Sequence, residues 1–218
     1  MRKLISLGMN CEVSFQIEKY VEKLYASLFS WAFVMDDDLF LEALNNVDDI
    51  FSNEISFHMP TGDMFLDEKY RITFHGRTSK EKLFDENGTI KDRGLYDETV
   101  EELKSRLVHL KEKFKEDLVT EDEKIYFKKI LIEPDFETWG GKEKLERIIN
   151  GLSDYFLKNG NAGNELVVVL ERKYYYPEIK ELEKNGLFIR CVDFFAPVDN
   201  TKDGADNAGW RKIIEEFG

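Results

Sequence analysis

Cysteine is scarce in this 218-residue chain, with only Cys11 and Cys191, so no disulfide framework and no cysteine-rich zinc site is available. Histidine is nearly as rare, with three residues, which leaves few candidates for a general base or an imidazole metal ligand. Basic charge is in deficit: 31 Lys and Arg stand against 44 Asp and Glu, a net charge of −13 that opposes binding to nucleic acid or to an anionic membrane surface. Long apolar runs are missing. Leu4–Leu7 is too short for the apolar region of a secretory signal, and no stretch reaches the length of a membrane span, so the expectation is a soluble, cytoplasmic protein. The glycines form neither G-x-G-x-x-G nor a Walker loop, and the carboxylates form no EF-hand loop. No cofactor and no metal is therefore implied. Internal repeats, low-complexity segments and linkers are also lacking.

What is present is ample core material: 42% hydrophobic and 13% aromatic residues, led by 17 Phe. Four segments read as buried strands, Lys3–Leu7, Ile125–Ile132, Glu165–Leu170 and Leu187–Phe194. The continuous run Val167-Val168-Val169-Leu170 is expected of a strand covered on both faces. Helical spacing recurs over Lys142–Lys158, Glu178–Lys184 and Ala208–Phe217, and strands alternating with helices predict a mainly parallel α/β sheet. Between the first strand and the rest, Val13–Lys23, Asp36–Asn45 and a long segment from Tyr96 to Lys115 read as helices. Glu54–His58 and Lys69–His75 read as short strands about the turn signal Pro60-Thr61-Gly62-Asp63, and Asp85-Glu86-Asn87-Gly88 marks another hairpin. The pattern is that of a single domain, residues 1–218, with a β-hairpin insertion near 52–93.

Ligands of an open α/β sheet bind beyond the carboxyl ends of its strands. Those ends collect Gly8, Asn10 and Cys11, then Glu133 and Asp135, then Glu171 and Arg172, then Asp193. Cys11 stands at the start of a helix, where backbone N–H groups and the dipole favour a thiolate. Glu12 beside it opposes that by its charge. Asn10 either caps the helix or offers its amide to an oxyanion. A thiol nucleophile needs a base. His109 lies within the long helix between Leu107 and Leu110, where a half-exposed surface or packing role is expected. In Tyr70–His75, Ile72 and Phe74 share one strand face, so His75 projects from the other with Arg71 and Thr73, and His58 stands similarly against Ile55 and Phe57. Either histidine can serve. Cys191 falls within a strand and reads as a core residue. Arg172–Tyr176 is a basic-aromatic cluster suited to sugars or to helix–sheet packing.

The run Ile-Ser-Leu-Gly-Met-Asn-Cys-Glu-Val-Ser-Phe at 5–15 resembles the opening of a bacterial domain family of unknown function that carries the label papain-like cysteine peptidase. Phe29-Ser30-Trp31, the strand ending in His75, and the Trp210 helix after an Asp/Gly-rich loop are similar too. The resemblance implies Cys11 as nucleophile and His75 as base, in the Cys-then-His order of papain-like enzymes. Many members of the family carry Asp where this chain has Ser30, and an acidic residue where it has Gly76, so no third residue is assigned. Papain-like enzymes are α+β, whereas the strand–helix alternation here is similar to a three-layer Rossmann-like sheet of the SGNH-hydrolase type, in which a nucleophile also follows the first strand. The resemblance also implies a setting near surface-polysaccharide enzymes. Two expectations result. One is a cysteine-dependent hydrolase or acyltransferase acting on a small-molecule, peptide or sugar ligand. The other is a non-catalytic carbohydrate-related binding protein that uses Trp31 and Tyr174–Tyr176.

Overall fold

A computed structural model describes residues 2–21, 25–60, 62–197 and 200–218. Lys23, where the first helix was expected to end, and Thr61 of the turn signal lie outside them. Four parallel strands, β1 (Lys3–Ser6), β6 (Lys124–Lys129), β7 (Glu165–Glu171) and β8 (Leu187–Val192), form one sheet in the order β1-β6-β7-β8. Successive side chains alternate between its two faces. Tyr126, Leu166, Val168, Leu170 and Ile189 join one apolar cluster with Leu145, Ile148, Ile149 and Leu152 of α6 (Gly141–Asn159). Ile125, Phe127, Val167 and Val169 join another with Val13 and Ile17 of α1 (Glu12–Tyr20) and Trp210, Ile213 and Ile214 of α7 (Asn207–Phe217). Both faces of β7 are thus dry, as its unbroken apolar run requires. Among the described residues, no helix is long and apolar enough to cross a membrane.

The expectation of one mainly parallel sheet with a hairpin insertion needs correction. Residues 33–75 hold a second, antiparallel four-stranded sheet in the order β2-β5-β4-β3, made of β2 (Phe33–Val34), β3 (Ile55–His58), β4 (Met64–Asp67) and β5 (Ile72–His75). Two of its strands escaped sequence reading. β2 is only two residues long, and β4 is buried at all four positions, so neither shows a period-2 pattern. The turn after β4 is built on Asp67, whose fully buried carboxylate accepts from the backbone N–H of Phe51 (2.5 Å), Lys69 (3.0 Å) and Tyr70 (3.0 Å). Lys69, expected in a strand, lies in this turn.

The remaining helices are α2 (Asp37–Asn45), α3 (Lys80–Leu83), α4 (Arg93–Val119) and α5 (Phe136–Trp139). Asp36 begins α2 by capping Asp38 and Leu39 N–H, and α4 lays Leu103, Leu107 and Phe114 into the core shared with the antiparallel sheet. Where a helix was expected at Glu178–Lys184, Pro177–Leu182 forms a 3-10 turn that buries only Ile179. Asp85–Gly88 does turn the chain, with Phe84 bridged to Ile90.

Candidate active site

Cys11 is presented by a kinked loop. After β1 the chain passes through two consecutive positive-φ residues, Gly8 (77°) and Met9 (99°), and then enters α1. Gly8 is required twice over. Its φ disfavours any side chain, and a Cβ there would meet the carbonyl oxygens of Phe29 at 3.0 Å and Ala32 at 3.2 Å. Gly8→Ala is therefore expected to cost about 1–3 kcal/mol, read as a lowered urea midpoint; an unchanged midpoint would show that the loop relaxes freely. Met9 then bridges to β2, its carbonyl accepting the Val34 N–H at 3.0 Å. That bridge joins the loop of the parallel sheet to the antiparallel sheet.

The consequence is a contact across the two sheets. Cys11 Sγ lies 3.6 Å from Nε2 of His75, the last residue of β5. On the other side of the ring, Nδ1 lies 2.8 Å from Asp63 Oδ2. Asp63 immediately precedes β4, whose Met64 pairs with His75, and its carbonyl accepts the Gly76 N–H at 2.8 Å. The three side chains form a line: thiol, imidazole, carboxylate. With the carboxylate accepting at Nδ1–H, the Nε2 lone pair faces the thiol, which is the tautomer a general base needs. His75 and Asp63 are both partly open to solvent, and Cys11 is half-buried.

Asp63 was missed as a functional residue because it lay inside a turn signal. The available clue was its place twelve positions before His75, opposite it once β4 and β5 pair. Gly76 also acquires a reason. A Cβ there would stand 2.7 Å from the Phe65 ring, so the position after the histidine has no room for a side chain.

His58 sits on β3, in the same row as Met64 and His75 but two strands from β5, about 10 Å away at the usual strand spacing. Cys11 approaches from the β2 side, so His75 is the histidine in reach. His109 is exposed on α4.

Burial pushes the Cys11 thiol up to about 11, the Asp63 charge adds to the rise, and the residue's own backbone N–H opposes it. The helix start therefore does not make a resting thiolate; loss of water around the sulfur outweighs the dipole. Glu12, expected to act on the thiol, is turned away from it. Its carboxylate is wholly buried and accepts from Lys129 Nζ (2.5 Å), Trp210 Nε1 (2.8 Å) and the Ala196 N–H (3.0 Å). Of the two roles open to Asn10, the structure shows the hydrogen bond to the start of the helix. Oδ1 accepts the Glu12 N–H at 3.1 Å and lies 3.4 Å from Lys129 Nζ, which commits Oδ1 and leaves Nδ2 as the donor end.

The remaining residues of the expected crest scatter. Ser30 is fully buried and engaged within the protein, its carbonyl accepting from Ser14 and its hydroxyl from the Ser27 N–H. Trp31 packs edge-on against Phe15, ring centroids 5.1 Å apart, and Phe15 shares the helix face of Cys11 four residues earlier. Glu133 lines a cavity of about 200 Å³ with Met9, Leu131, Trp139 and Lys144, beside the Cys11 loop. Glu171 and Arg172 stand two strands from β1, where Glu171 pairs with Lys173 and Arg172 with Asp193. Cys11 follows an edge strand, so its partners come from the antiparallel sheet rather than from this crest. Tyr174 and Tyr176 are buried, their hydroxyls donating to the Glu133 carbonyl and to Glu146. Among the described residues, no three His, Cys, Asp or Glu side chains gather as metal ligands. Comparison with known families, with curated proteins and with solved structures returns no match to this chain.

Proposed function

We propose that the protein is a cysteine-dependent hydrolase or acyltransferase in which Cys11 is the nucleophile, His75 the general base and Asp63 the orienting carboxylate. The observation that carries the reading is the line from Cys11 Sγ through both ring nitrogens of His75 to Asp63, at 3.6 and 2.8 Å. As the thiol attacks a substrate carbonyl, its proton passes to His75 Nε2 and a C–S bond forms. The carbonyl electron pair moves to oxygen, where the Cys11 N–H and Asn10 Nδ2 are the available donors. Collapse expels the leaving group, which takes the proton from His75, and leaves a thioester. Water or an acceptor alcohol or amine then attacks with His75 again as base, releasing the thiol. Because the resting thiol is protonated, the proton transfer accompanies attack rather than preceding it.

This reading agrees with the resemblance to the papain-like family in nucleophile and base. Many members of that family carry an acidic residue after the histidine; this chain has Gly76 there, and in our reading Asp63 from the neighbouring strand end takes the orienting place. We also place the parallel sheet and its flanking helices in the three-layer, Rossmann-like class, with the antiparallel sheet as the element that brings the base. The carbohydrate-binding alternative has less support, since two of its three tyrosines are buried in the packing.

An activated ester tests the proposal. With p-nitrophenyl acetate, a burst of nitrophenolate and an acetyl group on Cys11 by mass spectrometry are expected. Asp63→Asn should slow the burst about 10-fold or more by releasing the ring from its tautomer. A burst that survives Cys11→Ser, or none in the unaltered protein, would refute it.

A further inference from the structure

The chain has nine arginines, and among the described residues seven form an ion pair with a carboxylate. In so acidic a protein, an arginine without a carboxylate is the exception. The two exceptions are Arg77 and Arg106, and both line one cavity of about 500 Å³. Arg77 follows His75 by two residues. Arg106, half-buried on α4, donates from Nη2 to the His75 carbonyl oxygen. Thr99, Leu103 and Ser105 also line it, with the Thr99 hydroxyl donating to the Leu95 carbonyl.

Two guanidinium groups without a carboxylate partner repel each other; Arg77 is exposed at the mouth of the cavity and Arg106 is half-buried. Both causes pull the Arg106 guanidinium below its ordinary range, burial first and Arg77's charge second, with Glu102 opposing. Glu101 and Glu102 also border the cavity. Glu101 is held by Lys104 at 2.9 Å, and Glu102 is exposed one helical turn before Arg106. Neither closes an ion pair with the arginines.

We infer that this cavity is an anion subsite for a carboxylate-bearing acyl substrate, with Arg77 and Arg106 gripping the carboxylate while Cys11 and His75 act on the acyl carbon. The inference rests on the proposed thiol chemistry and adds a substrate class to it. A planar guanidinium matches both oxygens of a carboxylate. A monoanion also suits the site better than a phosphate dianion, because the net charge of −13 repels the dianion more.

Two iodoacetamides that differ only at the end of a four-carbon tail, one carboxylate and one primary amide, read the subsite through Cys11. At low ionic strength the carboxylate reagent is expected to alkylate Cys11 about 10-fold faster or more, a ratio worth ~1.4 kcal/mol. Arg77→Gln should bring the ratio close to one, whereas Lys212→Gln, the same charge change on exposed α7, should keep it. A ratio near one in the unaltered protein, or an equal loss in both variants, overturns the inference while leaving Cys11 reactivity intact. If neither reagent labels Cys11, the thiol reading itself fails. Binding is then read directly: glutaramate, a monocarboxylate with a terminal amide, should raise Tm saturably in the unaltered protein and not in Arg77→Gln, and stronger binding by inorganic phosphate than by glutaramate would overturn the carboxylate assignment.

Discussion

Iodoacetamide near pH 7 is expected to label Cys11 at least about 100-fold faster than Cys191, and His75→Ala should erase the difference. The two thiols form an internal control. Both are half-buried, and burial pushes each up to about 11, Cys191 despite the opposing charges of Arg172 and Arg190. Without a base, each would be about one part in 10⁴ thiolate at pH 7. What separates them is the imidazole 3.6 Å from the Cys11 sulfur. The sign of the pH dependence follows. In His75→Ala, Cys11 should react only through free thiolate, so its rate should climb about tenfold per pH unit from 7 toward 11. In the unaltered protein the profile should be much flatter across neutrality, because His75 takes the proton during attack. Matching steep profiles before and after the substitution would remove His75 from the chemistry.

Glu12→Gln is expected to destabilise the fold by about 3–5 kcal/mol, enough to threaten a domain of ordinary stability. Glu12 ties four segments together: its own helix, Lys129 at the end of β6, the Ala196 backbone and Trp210 of α7. Lys129 is itself buried, its ammonium 4.2 Å over the Phe195 ring. Removing the carboxylate charge leaves that cation without its counter-charge. Burial already holds Lys129 below its usual value, opposed chiefly by Glu12. Without Glu12 the depression deepens, so the unfolded chain binds more protons than the folded one between the lowered value and about 10.5. Stability of Glu12→Gln should therefore rise as pH increases through that window. Urea unfolding at pH 7 and pH 9.5 reads the effect, and Lys129→Met added to Glu12→Gln should restore part of the loss. A variant as stable as the parent at pH 7 would mean that the buried pair contributes little beyond its volume.

The parallel half of the fold was legible because its signals are local. Val167–Leu170 can be covered only on both faces, and the Leu145–Phe156 spacing can be only an amphipathic helix. The antiparallel half was hard to read because its strands are short and their burial does not alternate. Lys124, Lys128 and Lys129, all fully or almost fully buried in β6, carry the same lesson. Lysine in a core is decided by distant partners, Asp37 for Lys128 and Glu12 for Lys129, and no local pattern announces them.

By itself the sequence determined that a thiol would stand at the mouth of a strand–helix turn. Gly8 is among the residues there whose backbone freedom the turn needs, and Asn10 is placed to take the first helical N–H. It narrowed the base to His58 or His75, both on the polar side of short strands. Only the tertiary structure decided which of them stands beside Cys11, because that depends on which strand edge meets the Cys11 loop. The Met9–Phe33 bridge docks that loop on β2, beside β5, and so selects His75. Pairing of β4 with β5 then sets Asp63 against Nδ1 from twelve residues away. Glu12 shows the same division. Its charge next to Cys11 is plain in the sequence, but the direction of its side chain is fixed by Lys129, Trp210 and Ala196, at separations of 117 to 198 residues. Charges act through space, and neighbours in the chain need not be neighbours in the field.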